Sequence, residues 1–181
     1  MSIKLNQSYI KFTVVSAILA GSTAISTASY AGTEMLVTTN VGQACLVAID
    51  ATMAFTNYDP IDAHSEDDLT KQQNITVTCT DGSLAKIELD VGNNPDDAAN
   101  TAAPVRNMLY NDGDSDHLLT YNLYVGSEEV ADVWGAGVGA KEYTGTGGEQ
   151  TLIVYGRVNA GQMDAVAGAE YSDIVTVSYT F

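Results

Sequence analysis

Positive charge is scarce in this sequence. Seven Lys and Arg stand against 23 Asp and Glu, for a formal net charge of −16 over 181 residues. Such a surface repels the phosphates of nucleic acid and of anionic lipid, so neither is expected as a partner. Cysteine is nearly absent. Cys45 and Cys79 are the only two, and they have neither the CxxC spacing nor the nearby His that a structural metal site needs. Long apolar runs are missing as well. FTVVSAILA (12–20) is too short to cross a bilayer as a helix. No long amphipathic helix can be drawn, no repeat recurs at a fixed period, and no linker divides the chain. What is left is 45% hydrophobic and of a length suited to one domain.

Residues 1–31 stand apart from the rest. Lys4 and Lys11 give a basic start, 12–20 an apolar centre, and Ser29 and Ala31 put small residues at the two positions that govern cleavage. This pattern is a Sec-type signal peptide, with the cut expected after Ala31. Removing those 31 of 181 residues leaves 150. It takes away two lysines and no acids, so five basic groups face 23 acidic ones, a net −18. In an oxidising compartment the simplest use of two cysteines is one disulfide, Cys45–Cys79. On the chain-entropy model, closing a loop of that length stabilises by about 3–4 kcal/mol.

Nearly everything after the leader alternates with period 2, the mark of half-buried strands. CLVAIDATMAF (45–55) lines up Cys45, Val47, Ile49, Ala51, Met53 and Phe55. NITVTCTDG (74–82) lines up Ile75, Val77 and Cys79 against a row of threonines. KIELDVG (86–92) aligns Ile87, Leu89 and Val91; LLTYNLYVG (118–126) aligns Leu119, Tyr121, Leu123 and Val125. QTLIVYGRV (150–158) aligns Leu152, Val154 and Val158 with Gly156 between them. YSDIVTVSYTF (171–181) makes a sixth strand and TEMLVTTNV (33–41) offers a seventh. NYDP (57–60), TDGS (80–83), GNNPDD (92–97), NDGDSD (111–116) and GTGG (145–148) read as the turns between them, while HSEDDLTKQQ (64–73) suggests a short helical turn. The class this implies is an all-β antiparallel sandwich. Both cysteines fall on the inward phase of different strands, which suits a bridge in the core.

Motifs for chemistry are few. Asp112, Asp114 and Asp116 have the spacing that opens a calcium loop, but His117 stands where Gly is needed and Leu123 where the closing Glu belongs. The better reading is an acidic, solvated hairpin. GAGVG (135–139) lacks dinucleotide-fingerprint spacing and GTGG lacks the Lys of a phosphate loop. His64 and His117 sit in acidic polar segments, away from any nucleophile motif. Asn74-Ile75-Thr76 matches a glycosylation acceptor inside a strand. Trp134, in a WG-x-G setting, reads as packing rather than as a sugar platform. The expectation is a protein that is not an enzyme and uses no cofactor and no metal.

The sixth strand poses a problem of pairing. Val175, Val177, Tyr179 and Phe181 alternate with Thr176, Ser178 and Thr180, and no return strand follows. A free, uncharged strand edge invites pairing with another chain. Residues 32–43, with one charge at Glu34, have no evident place in the sandwich. Strand addition answers both ends: the 32–43 segment of one molecule, with Met35, Val37, Thr39 and Val41 in phase, enters the groove beside Val175, Val177, Tyr179 and Phe181 of the next. Such head-to-tail contacts build open fibres. Each large apolar side chain inserted would contribute about 1.5–3 kcal/mol. The alternative is that 32–43 folds back on its own domain or remains a tail.

Taken together, the Cys45 strand, NYDP (57–60), TVTCTDG (76–82), LTYNLY (119–124), WG-x-G (134–137), GTGG-x-QTL-x-VYGRV-x-AGQ (145–162) and YSDIVTVSYTF (171–181) resemble the spore coat protein U domain family, which includes subunits of archaic (Csu-type) chaperone–usher pili. The resemblance spans essentially the whole chain after the leader. It implies a signal peptide at 1–31, a donor segment at 32–43 and a pilin domain at 44–181. It further implies an incomplete immunoglobulin-like sandwich that lacks its final strand and is completed by donor-strand complementation. The implied partners are a periplasmic pilus chaperone, an outer-membrane usher and neighbouring pilin subunits. The implied product is a surface fibre serving adhesion and biofilm formation, exported through the periplasm, with this chain as a shaft or minor subunit. Two other readings stand beside it, a secreted spore or cyst coat protein and a carbohydrate-binding β-sandwich module.

Overall fold

A strand with alternating side chains buries one face and wets the other, so several such strands must pair into layers around a shared core. The computed structural model of the protein describes residues 33–49, 52–125 and 132–181. The expected signal peptide lies outside the described residues. Two compact units divide after Thr39. Of the first, residues 33–39 form no strand, and Met35, Leu36 and Val37 are all exposed.

The second unit holds nine strands among its described residues: β1 (Cys45–Ile49), β2 (Leu69–Cys79), β3 (Leu84–Leu89), β4 (Arg106–Asn111), β5 (Asp116–Val125), β6 (Asp132–Val133), β7 (Lys141–Thr144), β8 (Glu149–Val158) and β9 (Val177–Thr180). Its one helical element is a three-residue 3-10 turn, Gly137–Gly139. The larger sheet runs β1-β2-β8-β5-β4, with β6 also on β5, and the smaller runs β7-β3-β9. Every pairing is antiparallel. The core is built from the aligned positions of both sheets: Ile75, Val77 and Cys79 of β2, Ala85, Ile87 and Leu89 of β3, Leu119, Tyr121 and Leu123 of β5, Val154 and Val158 of β8. Trp134 fills the space between layers and donates its indole N–H to the Ile87 carbonyl at 2.8 Å. The fold is thus the all-β antiparallel sandwich expected, in its immunoglobulin-like form.

Turns fall where Gly, Asn and Asp cluster. Gly82 and Gly113 adopt φ of +73° and +97°, which their β2–β3 and β4–β5 connections require and which other residues resist. Several expectations need correction. Residues 69–73 belong to β2 and not to a helical turn; the long pairing of β2 with β8, from Leu69↔Val158 to Thr78↔Glu149, overrides the local polar composition. The 33–41 strand does not form. The first strand is described over Cys45–Ile49 and does not run to Phe55, since 52–55 form no strand; Ala51, expected in its row, lies outside the described residues, and the last strand is confined to Val177–Thr180. β4, β6 and β7 were not foreseen. β4 opens with Arg106 and Asn107, both buried, so it shows no apolar alternation.

Candidate functional site

Both sheets end on a strand with one bare edge, and those two strands adjoin. β1 pairs with β2 alone and β9 with β3 alone among the described residues, and β1 lies against β9. Neither strand contains a fully buried residue, although both carry apolar side chains in phase with the core. Cys45, Val47, Val175 and Val177 pack against the core yet stay half-buried. A closed sandwich buries such positions; here they line an opening. Tyr179 and Phe181 are 39% and 57% exposed, their rings edge to face at 5.6 Å. Both lie on the phase the sequence assigned to the acceptor edge.

The backbone of β9 is used on one side only. Asp90 donates its N–H to the Thr176 carbonyl at 3.0 Å, and the Glu88↔Ser178 and Lys86↔Thr180 pairs continue that rhythm along β3. Since bonded pairs alternate in an antiparallel ladder, the N–H and C=O groups of Val177 and Tyr179 point away from β3, toward the bare edge.

Residues 52–56 lie outside any strand yet keep the alternation, with Met53 and Phe55 packed on the core and Thr52, Ala54 and Thr56 exposed. This stretch belongs to no ladder; its one internal backbone bond is local, from Ala54 N–H to the Thr52 carbonyl at 3.0 Å. Gly156 of β8 provides the floor under it, because a Cβ there would collide with Met53 Sδ and Phe55 Cζ. The signal was available in the alternation of 45–55 and in the lone Gly amid the apolar row of β8, but it reads as one continuous strand until the strand is seen to stop.

The Cys45–Cys79 disulfide is formed, and it joins directly opposed residues of neighbouring strands β1 and β2. Of the expected donor residues, Val41 is exposed in the second unit. Met35, Val37 and Thr39 belong to the first unit, where each is exposed.

Among the described residues, three titrating groups depart from their ordinary ranges. Burial, opposed by the nearby Tyr121, Asp90 and Asp173, lowers the pKa of the Arg106 guanidinium. Burial, followed by the hydrogen bond to Asp173, raises that of the Tyr121 phenol. Asp112 falls to about 2, first through its hydrogen bond with His117 at 3.0 Å and then through accepting the N–H groups of Asp114 and Ser115. Asp112 therefore spends both carboxylate oxygens on the turn itself. Trp134 is 1% exposed and offers no face to a sugar.

What this arrangement offers is bare backbone donors and acceptors on β9 next to half-buried apolar side chains, with residues 52–56 also outside any ladder.

Comparison with known proteins bears on that reading. The family model described as the Spore Coat Protein U domain matches residues 31–178. No curated protein matches the chain. Among solved structures, similarity is found to the CsuC–CsuE chaperone–tip adhesion subunit pre-assembly complex from archaic chaperone–usher Csu pili of Acinetobacter baumannii. The TM-score is 0.52 at 16% identity, with 78% of this chain covered. The match takes in 40% of that structure's chain, and at such identity it speaks for a shared fold.

Proposed function

The chain belongs to the Spore Coat Protein U domain family, and from that premise we propose that it is a structural subunit of an archaic chaperone–usher pilus. Its work is noncovalent. A periplasmic chaperone first lends a strand to the opening between β9 and residues 52–56; at an outer-membrane usher that strand is exchanged for residues 32–43 of another subunit. The fibre so formed extends from the cell surface and serves adhesion and biofilm formation.

The observation that carries this reading is the bare edge of β9 at half-buried Val175 and Val177, with Met53 and Phe55 packed on the same core but outside any ladder. An uncharged strand edge next to open apolar surface is a liability in a lone soluble molecule and an asset in a polymer. The exposed apolar residues Met35, Val37 and Val41 provide a complementary strand. The solved Csu complex, which pairs a chaperone with a pilus subunit, is consistent with such a partnership. No catalytic step is assigned.

Deleting residues 32–41 tests the reading directly. The shortened subunit is expected to bind the chaperone and to receive a strand, but not to donate one, so chains terminate where it is incorporated. Normal polymerisation of the deletion would show that the donor lies elsewhere. Tight glycan capture by the chaperone-free monomer, with no polymer formed, would favour the carbohydrate-binding module instead.

A further inference from the structure

The terminal segment does not belong to one sheet. Ser172 exchanges both backbone hydrogen bonds with Leu109 of β4, at 2.9 and 3.1 Å, in the larger sheet. Thr176 then accepts from Asp90 N–H, and β9 continues along β3 in the smaller sheet. Between them the chain crosses from layer to layer, and two carboxylates hold the crossing.

Asp173 accepts the Tyr121 hydroxyl at 2.6 Å on one oxygen. On the other it accepts the N–H of Asn93 at 2.8 Å and that of Ile174 at 2.9 Å. Asp90 accepts the N–H groups of Thr176 and Gly92, each at 3.0 Å. Its carbonyl in turn takes Arg106 Nε at 2.9 Å and Nη2 at 2.6 Å, from a guanidinium with no exposed surface. Gly92, at φ +76°, completes the fit: a Cβ there would overlap the Asp173 carboxylate. Residues 52–56 have nothing comparable among the described residues, their one internal backbone bond being local.

We propose that Asp173 and Asp90 are positioning residues for strand acceptance: they fix β9 in place before any strand arrives, so that an incoming strand pairs first with β9 and then gathers in residues 52–56. The proposal rests on the assembly reading above. Its physical basis is entropy, since an edge already ordered loses less freedom when a strand docks on it than an edge that must be ordered at the same time.

The test follows uptake of a fluorescent peptide of residues 32–43 by dilute protein beginning at residue 32. The variants are Asp173→Ala, Asp173→Asn and Tyr121→Phe, with Gln162→Ala as a destabilised control; the Gln162 side chain bonds the backbone of Thr120 and Asn159 and neither Asp173 nor Asp90. Loss of the charged acceptor in Asp173→Ala is expected to slow uptake about tenfold. Tyr121→Phe slows it less. Asp173→Asn stays near wild type, because an amide oxygen still accepts from Asn93 and Ile174. Gln162→Ala leaves the rate unchanged. Hydrogen exchange of the unloaded protein is the second readout: Tyr121→Phe, which keeps the core intact, quickens exchange at Ser178 and Thr180, the β9 amides bonded to β3, and not in β2 or β5. Should Asp173→Ala fail to fold, this measurement decides. Equal uptake by Asp173→Ala and wild type, equal slowing by Gln162→Ala, or unaltered exchange at β9 in Tyr121→Phe overturns the proposal and leaves strand acceptance standing. Wild-type protein that takes up no peptide overturns the assembly reading and this proposal together.

Discussion

Arg106 is the residue least like its expected self. A scale of hydropathy sends Arg to the surface, yet here it is fully buried and donates to the carbonyls of Leu89, Asp90 and Trp134. It therefore ties three segments together at one point, and burial lowers its pKa without any direct ion pair. Replacing it by Met removes the donors and strands those carbonyls, so unfolding in denaturant should show a loss of about 3 kcal/mol or more. The two cysteines were legible because they share an inward phase and an oxidising destination; Arg106 was not, because only the assembled core reveals acceptors that can hold a guanidinium. Asp112 offers a prediction in pH. Its folded pKa of about 2 lies below the usual 3.8, so its stabilising hydrogen bonds are fully present above pH 3.8 and are lost as pH falls through 2. A carboxyl titration by NMR should place its midpoint near 2, and His117→Ala should move that midpoint upward, since the His117 hydrogen bond is the largest cause.

Among the elements, those with clean alternation were read well. The aligned residues of β2, β3, β5 and β8 all reach the core as period 2 requires. The failures have definite causes. β4 hides behind buried polar residues, the polar start of β2 is carried into the sheet by β8, and the 45–55 row breaks after Ile49 even though Met53 and Phe55 keep facing the core. Whether a strand has a partner is a property of the ladder, and no residue row encodes it locally. β9 yields a specific expectation. Ser178 and Thr180 lie in bonded pairs with β3, while Val177 and Tyr179 direct their amides to the bare edge. In the unloaded protein the Val177 and Tyr179 amides should exchange quickly and those of Ser178 and Thr180 slowly. After strand insertion all four should be slow, with Val177 and Tyr179 gaining about a hundredfold protection or more. Uniform exchange along β9 before insertion would contradict the assigned register.

At the scale of the whole molecule, charge and the open slot pull in opposite directions. A net −16 makes like molecules repel, while in the proposed assembly the β9 edge and the exposed apolar segment draw them together. Polymerisation should therefore quicken as salt rises from about 0.01 M to 0.15 M, where the Debye length contracts from about 30 Å to about 8 Å. A rate that falls with salt would point to attraction between opposite charges instead. Stability of the unloaded protein should also climb when a strand peptide is supplied, by an amount that grows with peptide concentration. The disulfide adds one more constraint, by where it is and where it is not. Cys45 and Cys79 sit face to face on adjacent strands of a single sheet, so the bond stitches one cover of the sandwich to itself and leaves the mouth between β1 and β9 without a covalent latch. In the proposed assembly a guest strand comes and goes while the sulfurs stay oxidised, so loading calls for no reductant.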